Sequence, residues 1–92
     1  MPLLSTRFQM GRLVATSAAI EAAPREVLLQ LLERHLSGDW GDVSKTDAKA
    51  NEYAISHGLR IISWYQTPGG ERIQIITEAD RSVTTILLAK EY

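Results

Sequence analysis

The spacing of apolar residues changes at Gly58, and that change limits what the chain can fold into more than any other feature. Upstream, apolar side chains recur every three or four residues, the period of a helix with one buried face. Downstream they alternate, with Leu59, Ile61, Ser63 and Tyr65 set against Arg60, Ile62, Trp64 and Gln66, the period of a pleated strand. Thr67-Pro68-Gly69-Gly70 is a turn signal, after which Glu71 to Thr77 resumes the β pattern. Glu78 to Arg81 form a second polar turn, and Ser82 to Leu88 are the most β-prone run of the chain. A three-stranded meander follows from these signals.

Before Gly58, Phe8 to Thr16 alternates loosely and reads as a strand, with Gly11 marking a bulge or close backbone approach. Thr16 or Ser17 caps a short helix through Ala23, and Pro24 opens a second helix that runs to Leu36. Its buried stripe is Val27, Leu28, Leu31 and Leu32, continued by His35 or Leu36. Gly38 and Gly41 make Ser37 to Asp42 a loop. Ser44 with Asp47 three residues on is a capping pair, Val43 can staple against Ala48, and Gly58 stops this third helix. Ala50, Tyr53, Ala54 and His57 share one of its faces, while Lys45, Lys49 and Glu52 decorate the other. The expected fold is α+β in the order β-α-α-α-β-β-β. The first strand pairs with an edge or the middle of the meander, giving a four-stranded antiparallel sheet with helices on one face.

A chain of 92 residues holds one hydrophobic core, so residues 1–92 are expected to be a single domain. With no cysteine, disulfides, thiolate metal sites and cysteine nucleophiles are excluded. Met1 to Gly11 lacks the apolar core of a signal peptide, and no stretch approaches the ~20 apolar residues of a membrane span, so the expected address is the cytoplasm. Ten basic and eleven acidic residues give a net charge of -1 without runs of one sign, which does not supply the basic surface of a non-specific nucleic-acid binder. Arg7, Arg12, Arg60, Arg72 and Arg81 fall in the sheet or its turns, so a basic sheet face is the alternative.

Two polar segments draw chemical interest. His35, Asp39 and Asp42 flank Trp40 in the first loop, and Glu78, Asp80 and Arg81 crowd the last turn. Carboxylates of the two segments with His35 would suit metal-assisted hydrolysis if they converged. The structural alternative makes Trp40 a core plug, Asp39 or Asp42 a cap for backbone N–H groups, and Arg81 an ion-pair partner in an Asp-led turn. No metal-ligand spacing and no nucleophile elbow is present, although either histidine beside Ser37, Ser44, Ser56, Ser63 or Ser82 would be needed for a serine triad. Both His35 and His57 sit near helix ends, where the dipole favours a cationic imidazole. Because Trp64 and Tyr65 lie on opposite strand faces, one of them must point away from the helices; with Tyr92 they are the aromatic candidates for a binding surface.

Ser37-Gly38-Asp39-Trp40-Gly41-Asp42, and Thr77 through Thr85 with the terminal Glu91-Tyr92, resemble a family of small bacterial proteins found with plasmids, phages and other mobile elements. Some members of that family carry a name borrowed from type I restriction-modification subunits. Such a subunit needs a glycine-rich cofactor motif within a doubly wound domain, and neither is here, so no cofactor is expected. The resemblance implies a genomic setting. The functional expectation is a non-enzymatic accessory or protein-binding module, self-association included, with a small metal-assisted hydrolase and a sheet-based DNA-binding regulator as alternatives.

Overall fold

The computed structural model describes residues 6–92. The segment read for a leader, Met1 to Gly11, therefore lies partly outside the described residues. Four strands and three helices follow one another as β1 (Arg12–Ala15), α1 (Ser17–Ala22), α2 (Arg25–Ser37), α3 (Lys45–His57), β2 (Ile61–Gln66), β3 (Arg72–Thr77) and β4 (Val83–Leu88), with a short 3-10 turn at Ala89–Glu91. The element order and the α+β class agree with the sequence reading.

The helix ends are set locally. Thr16 Oγ1 accepts from Ala19 N–H and Ser44 Oγ from Asp47 N–H, each satisfying an orphan donor of a first turn. Pro24 precedes α2 as its cap, so α2 begins one residue later than the sequence suggests. Gly38, at φ 94°, returns its N–H to the carbonyls of Arg34 and His35 and ends α2 in the left-handed conformation that glycine adopts without strain.

The strand order is β1-β4-β3-β2. β2, β3 and β4 form the expected antiparallel meander, but β1 runs parallel to β4, pairing Arg12 with Val83 and Ala15 with Ile86. The sheet is mixed, which corrects the all-antiparallel expectation. A parallel neighbour requires a long crossover, and here the crossover is the helical half of the chain. The chain leaves one edge at Ala15, passes α1 and α2 over the sheet, and reaches the opposite edge through α3. β1 is also shorter than the segment read for it. Phe8 and Met10 pack against the core from irregular backbone, with Arg7 N–H donating to Leu36 O and Thr84 Oγ1 donating to Met10 O.

Register places Ile61, Tyr65, Ile73, Ile75, Ile86 and Leu88 on the face that meets α2, where Leu28, Leu31, Leu32 and Leu36 complete the core. Each such side chain contributes about 1.5–3 kcal/mol by leaving water. α3 sits at the β2 edge, where Ala54 packs with Trp40 and Ile61. Its buried residues are Asn51 and Ala54; Tyr53 and His57, expected on the inner face, stack on each other in solvent at a ring separation of 3.7 Å.

Candidate functional site

His35 is not a helix-end cation. It is fully buried, edge-on to Phe8 and Trp40, with Nδ1 2.6 Å from Ser63 Oγ and Nε2 2.9 Å from Thr77 Oγ1. The proton directions of this chain of groups follow from its far end. Thr84 donates to the Met10 carbonyl, so it accepts from Thr77; Thr77 in turn accepts from His35 Nε2–H, leaving Nδ1 to accept from Ser63. Burial pushes the imidazole down to about 3, so it stays neutral. His35 thus stands beside Ser63, one of the serines a triad would need, but both are sealed from solvent and the second ring nitrogen faces a threonine instead of a carboxylate. The linked hydroxyls bind α2 to three strands and offer no route for a substrate.

The two polar loops are separately tied down. Asp39 pairs with Arg34 at 2.7 Å, which holds its carboxyl below the usual carboxylate range, and also accepts from Gly41 N–H, the capping role expected for it. Asp42 is exposed, and its N–H donates to Trp64 O. At the other loop Asp80 accepts from Ser82 N–H, and Glu78 pairs with Arg60 rather than with Arg81. Arg81, at φ 61°, points its guanidinium at the carbonyls of Ala54, Leu59, Glu78 and Ala79 and fastens the turn to the end of α3. Its partners are carbonyls, not the carboxylates expected from sequence. The first loop leans on Trp64 and Tyr65, the second on Leu59 and Arg60 at the start of β2. Among the described residues no three His, Asp or Glu side chains form a group suited to a metal ion.

The aromatic candidates divide by face. Trp40 is buried and donates Nε1–H to Glu52, and Tyr65 is buried with its hydroxyl donating to Asp39 O at 2.6 Å. Trp64 is on the other face, half-buried beneath the Arg72 guanidinium. With Ile62, Gln74 and Tyr92 it lines a cleft of about 270 Å³ beside α3. The buried Oε1 of Gln74 has no hydrogen-bond partner there among the described residues.

The two sheet edges differ sharply. At the β2 edge Asn51 acts as a surrogate strand: its Nδ2 donates to Ile62 O at 2.8 Å and its Oδ1 accepts from Ile62 N–H at 3.2 Å. Beyond it Trp64 N–H donates to Trp40 O and Trp64 O accepts from Asp42 N–H, with Gly41 bridging. A Cβ on Gly41 would strike the Trp64 carbonyl, so only glycine permits this close approach. At the opposite edge β1 is open among the described residues. Arg12 N–H donates to Ser82 O and Thr16 N–H to Ile86 O, so alternation turns the N–H and C=O of Leu13 and Ala15 outward, and neither residue has a backbone partner on that side among the described residues. Next to them runs an apolar groove of about 320 Å³ lined by Leu13, Ala15, Ile20, Leu28, Leu29 and Ile86.

Leu13, Val14, Ile20 and Leu29 are four of the seven large apolar residues exposed among the described ones; Leu13, Ile20 and Leu29 line this groove, and Val14 stands on the opposite face of the same strand. The sequence reading does not single out this surface. Leu29 and Ile20 stand off the helical stripes, which is the signal the sequence carries, but only the parallel placement of β1 brings them together.

The chain matches no family model, no curated protein and no solved structure. Among the described residues no helix is long and apolar enough to cross a membrane.

Proposed function

We propose that this protein is a non-enzymatic binding module that engages another protein through the open β1 edge and the apolar groove behind it. The observation that carries the reading is the coincidence of unpaired strand backbone with four exposed apolar side chains. Edge strands left open are templates for strand addition, and natural proteins ordinarily blunt them. Among its described residues this chain blunts one edge and leaves the other bare. The genomic setting implied by the resemblance of residues 37–42 and 77–85, an accessory protein of a mobile element, belongs to the same proposal.

The cations of the sheet favour a protein partner over nucleic acid. Arg7 pairs with Glu52, Arg60 with Glu78, Arg72 covers Trp64, and Arg81 is occupied by carbonyls, so few remain for phosphates. Capture from native cells with tagged protein tests the reading. Wild type should retain a partner at stoichiometric level that Ile20→Asp with Leu29→Asp does not. Equal retention by the variant, or nothing above an untagged control, would count against the edge.

A further inference from the structure

We infer that the partner at the open edge is a second copy of this chain, joined by antiparallel β1–β1 pairing about a two-fold axis through Val14. The inference rests on the protein-binding reading above and names its occupant.

The edge is self-complementary. Leu13 and Ala15 carry the outward N–H and C=O groups, while those of Val14 face β4. In an antiparallel pair, opposed residues alternate between those that exchange both backbone bonds and those that exchange none. A dyad at Val14 sets Leu13 against Ala15 of the copy and Ala15 against Leu13, so every outward group of β1 finds a reciprocal partner. Val14, exposed on the face away from α2, meets its own symmetry mate at the close, non-bonded position.

Charge follows the same register. With the dyad at Val14, Arg12 stands opposite Thr16 of the copy. Arg12 is exposed and has no acidic partner among the described residues. Thr16 Oγ1 donates to Glu91 Oε1 at 2.8 Å, which fixes a carboxylate beside it that has no cationic partner among the described residues. Directly opposed side chains stand close enough to interact, so each Arg12 meets a Glu91 across the axis, and the symmetry makes two such pairs.

Sedimentation of the purified protein from ~1 μM to ~1 mM spans the affinities expected of a modest interface. Wild type should shift from monomer to dimer and stop there. Arg12→Glu sets two carboxylates against each other at each contact, and Glu91→Arg sets two guanidinium groups there. Each variant alone should dimerise at least ~10-fold more weakly, a loss typical of like-charge juxtaposition. A 1:1 mixture of the two places a complementary pair at both contacts and should restore the dimer. Because Glu91→Arg also loosens the terminal turn, amide exchange in wild type gives an independent readout. Leu13 and Ala15 should become protected as concentration rises, with Val14 protected throughout. A wild type that stays monomeric over the whole range overturns the inference. So does a wild-type dimer that neither charge change weakens. If the monomer still captures a partner through the same edge in native cells, the binding reading survives and the second copy alone is excluded.

Discussion

Mild acid should destabilise this protein chiefly through one residue. His35 has its titration pushed from an ordinary 6.5 down to about 3 because protonation would place a charge in the core. Its partner Ser63, moreover, already donates to Nδ1, the nitrogen that would take the proton. The native state therefore holds no added proton on this ring between those values, whereas the unfolded chain binds one below 6.5. Stability is full above the unfolded value and is lost as pH falls toward the folded one, at about 1.4 kcal/mol per pH unit. Going from neutral to about pH 4.5 thus removes about 2–3 kcal/mol, a large share of the ~5–15 kcal/mol that holds a domain together.

Asp39 and Glu52 also have lowered values, through Arg34 and Arg7, but they are exposed and lose their pairs only at lower pH, so this window belongs chiefly to the histidine. Urea unfolding followed by tryptophan fluorescence at a series of pH values measures the slope, with Trp40 reporting from 6.0 Å away. His35→Gln keeps a donor and an acceptor but cannot titrate. It should be weaker at neutral pH by about 1–3 kcal/mol and flatter in acid. Equal slopes for variant and wild type, or a folded-state NMR titration of His35 near its ordinary value, would refute the buried neutral assignment.

Replacing Gln74 with Leu should raise stability by about 1 kcal/mol, since the buried Oε1 lacks a partner and its removal leaves none behind; urea midpoints at constant slope read this. Gly41→Ala should cost about 3 kcal/mol or more, because φ is 74° and the new methyl runs into Trp64 O, while Gly58→Ala at φ 64° meets open space and should cost only about 1 kcal/mol. Asn51→Leu should cost about 2–4 kcal/mol by orphaning both polar groups of Ile62, and the Ile62 amide should lose its protection from exchange.

Local chemistry is legible in the sequence, and strand direction is not. The change of period at Gly58, the caps at Thr16 and Ser44 and the stop at Gly38 each depend on a few adjacent residues, and each is found in place. The orientation of β1 depends on where three helices carry the chain, which no spacing within Arg12–Ala15 records. Tyr65 on the α2 face and Trp64 on the opposite one follow from alternation along β2. The helix-terminal position of His35 argues for a charge, while the burial that decides the matter comes from Phe8, Trp40 and the sheet. Asn51 carries no signal at all, because a polar residue on a helix is ordinarily solvated; here its amide matches the spacing of a neighbouring strand's backbone groups.

Closing β2 and exposing β1 determines what kind of assembly this sheet allows. A sheet open on both sides adds copies without end, since each addition recreates the edge it consumed. Here Asn51 and the Trp40–Asp42 backbone occupy one edge, so pairing at β1 would leave two closed outer edges and no open strand for a third chain among the described residues. Growth past the dimer would first require breaking the Asn51 contacts. Asn51→Leu therefore has a consequence beyond lost stability: with the Ile62 groups of the β2 edge freed, the protein should form species larger than the dimer, visible by light scattering. The Arg12→Glu change in the same chain should suppress them if they grow through β1. Larger species that form equally with and without that change would show that the closed edge, and not the open one, had governed assembly.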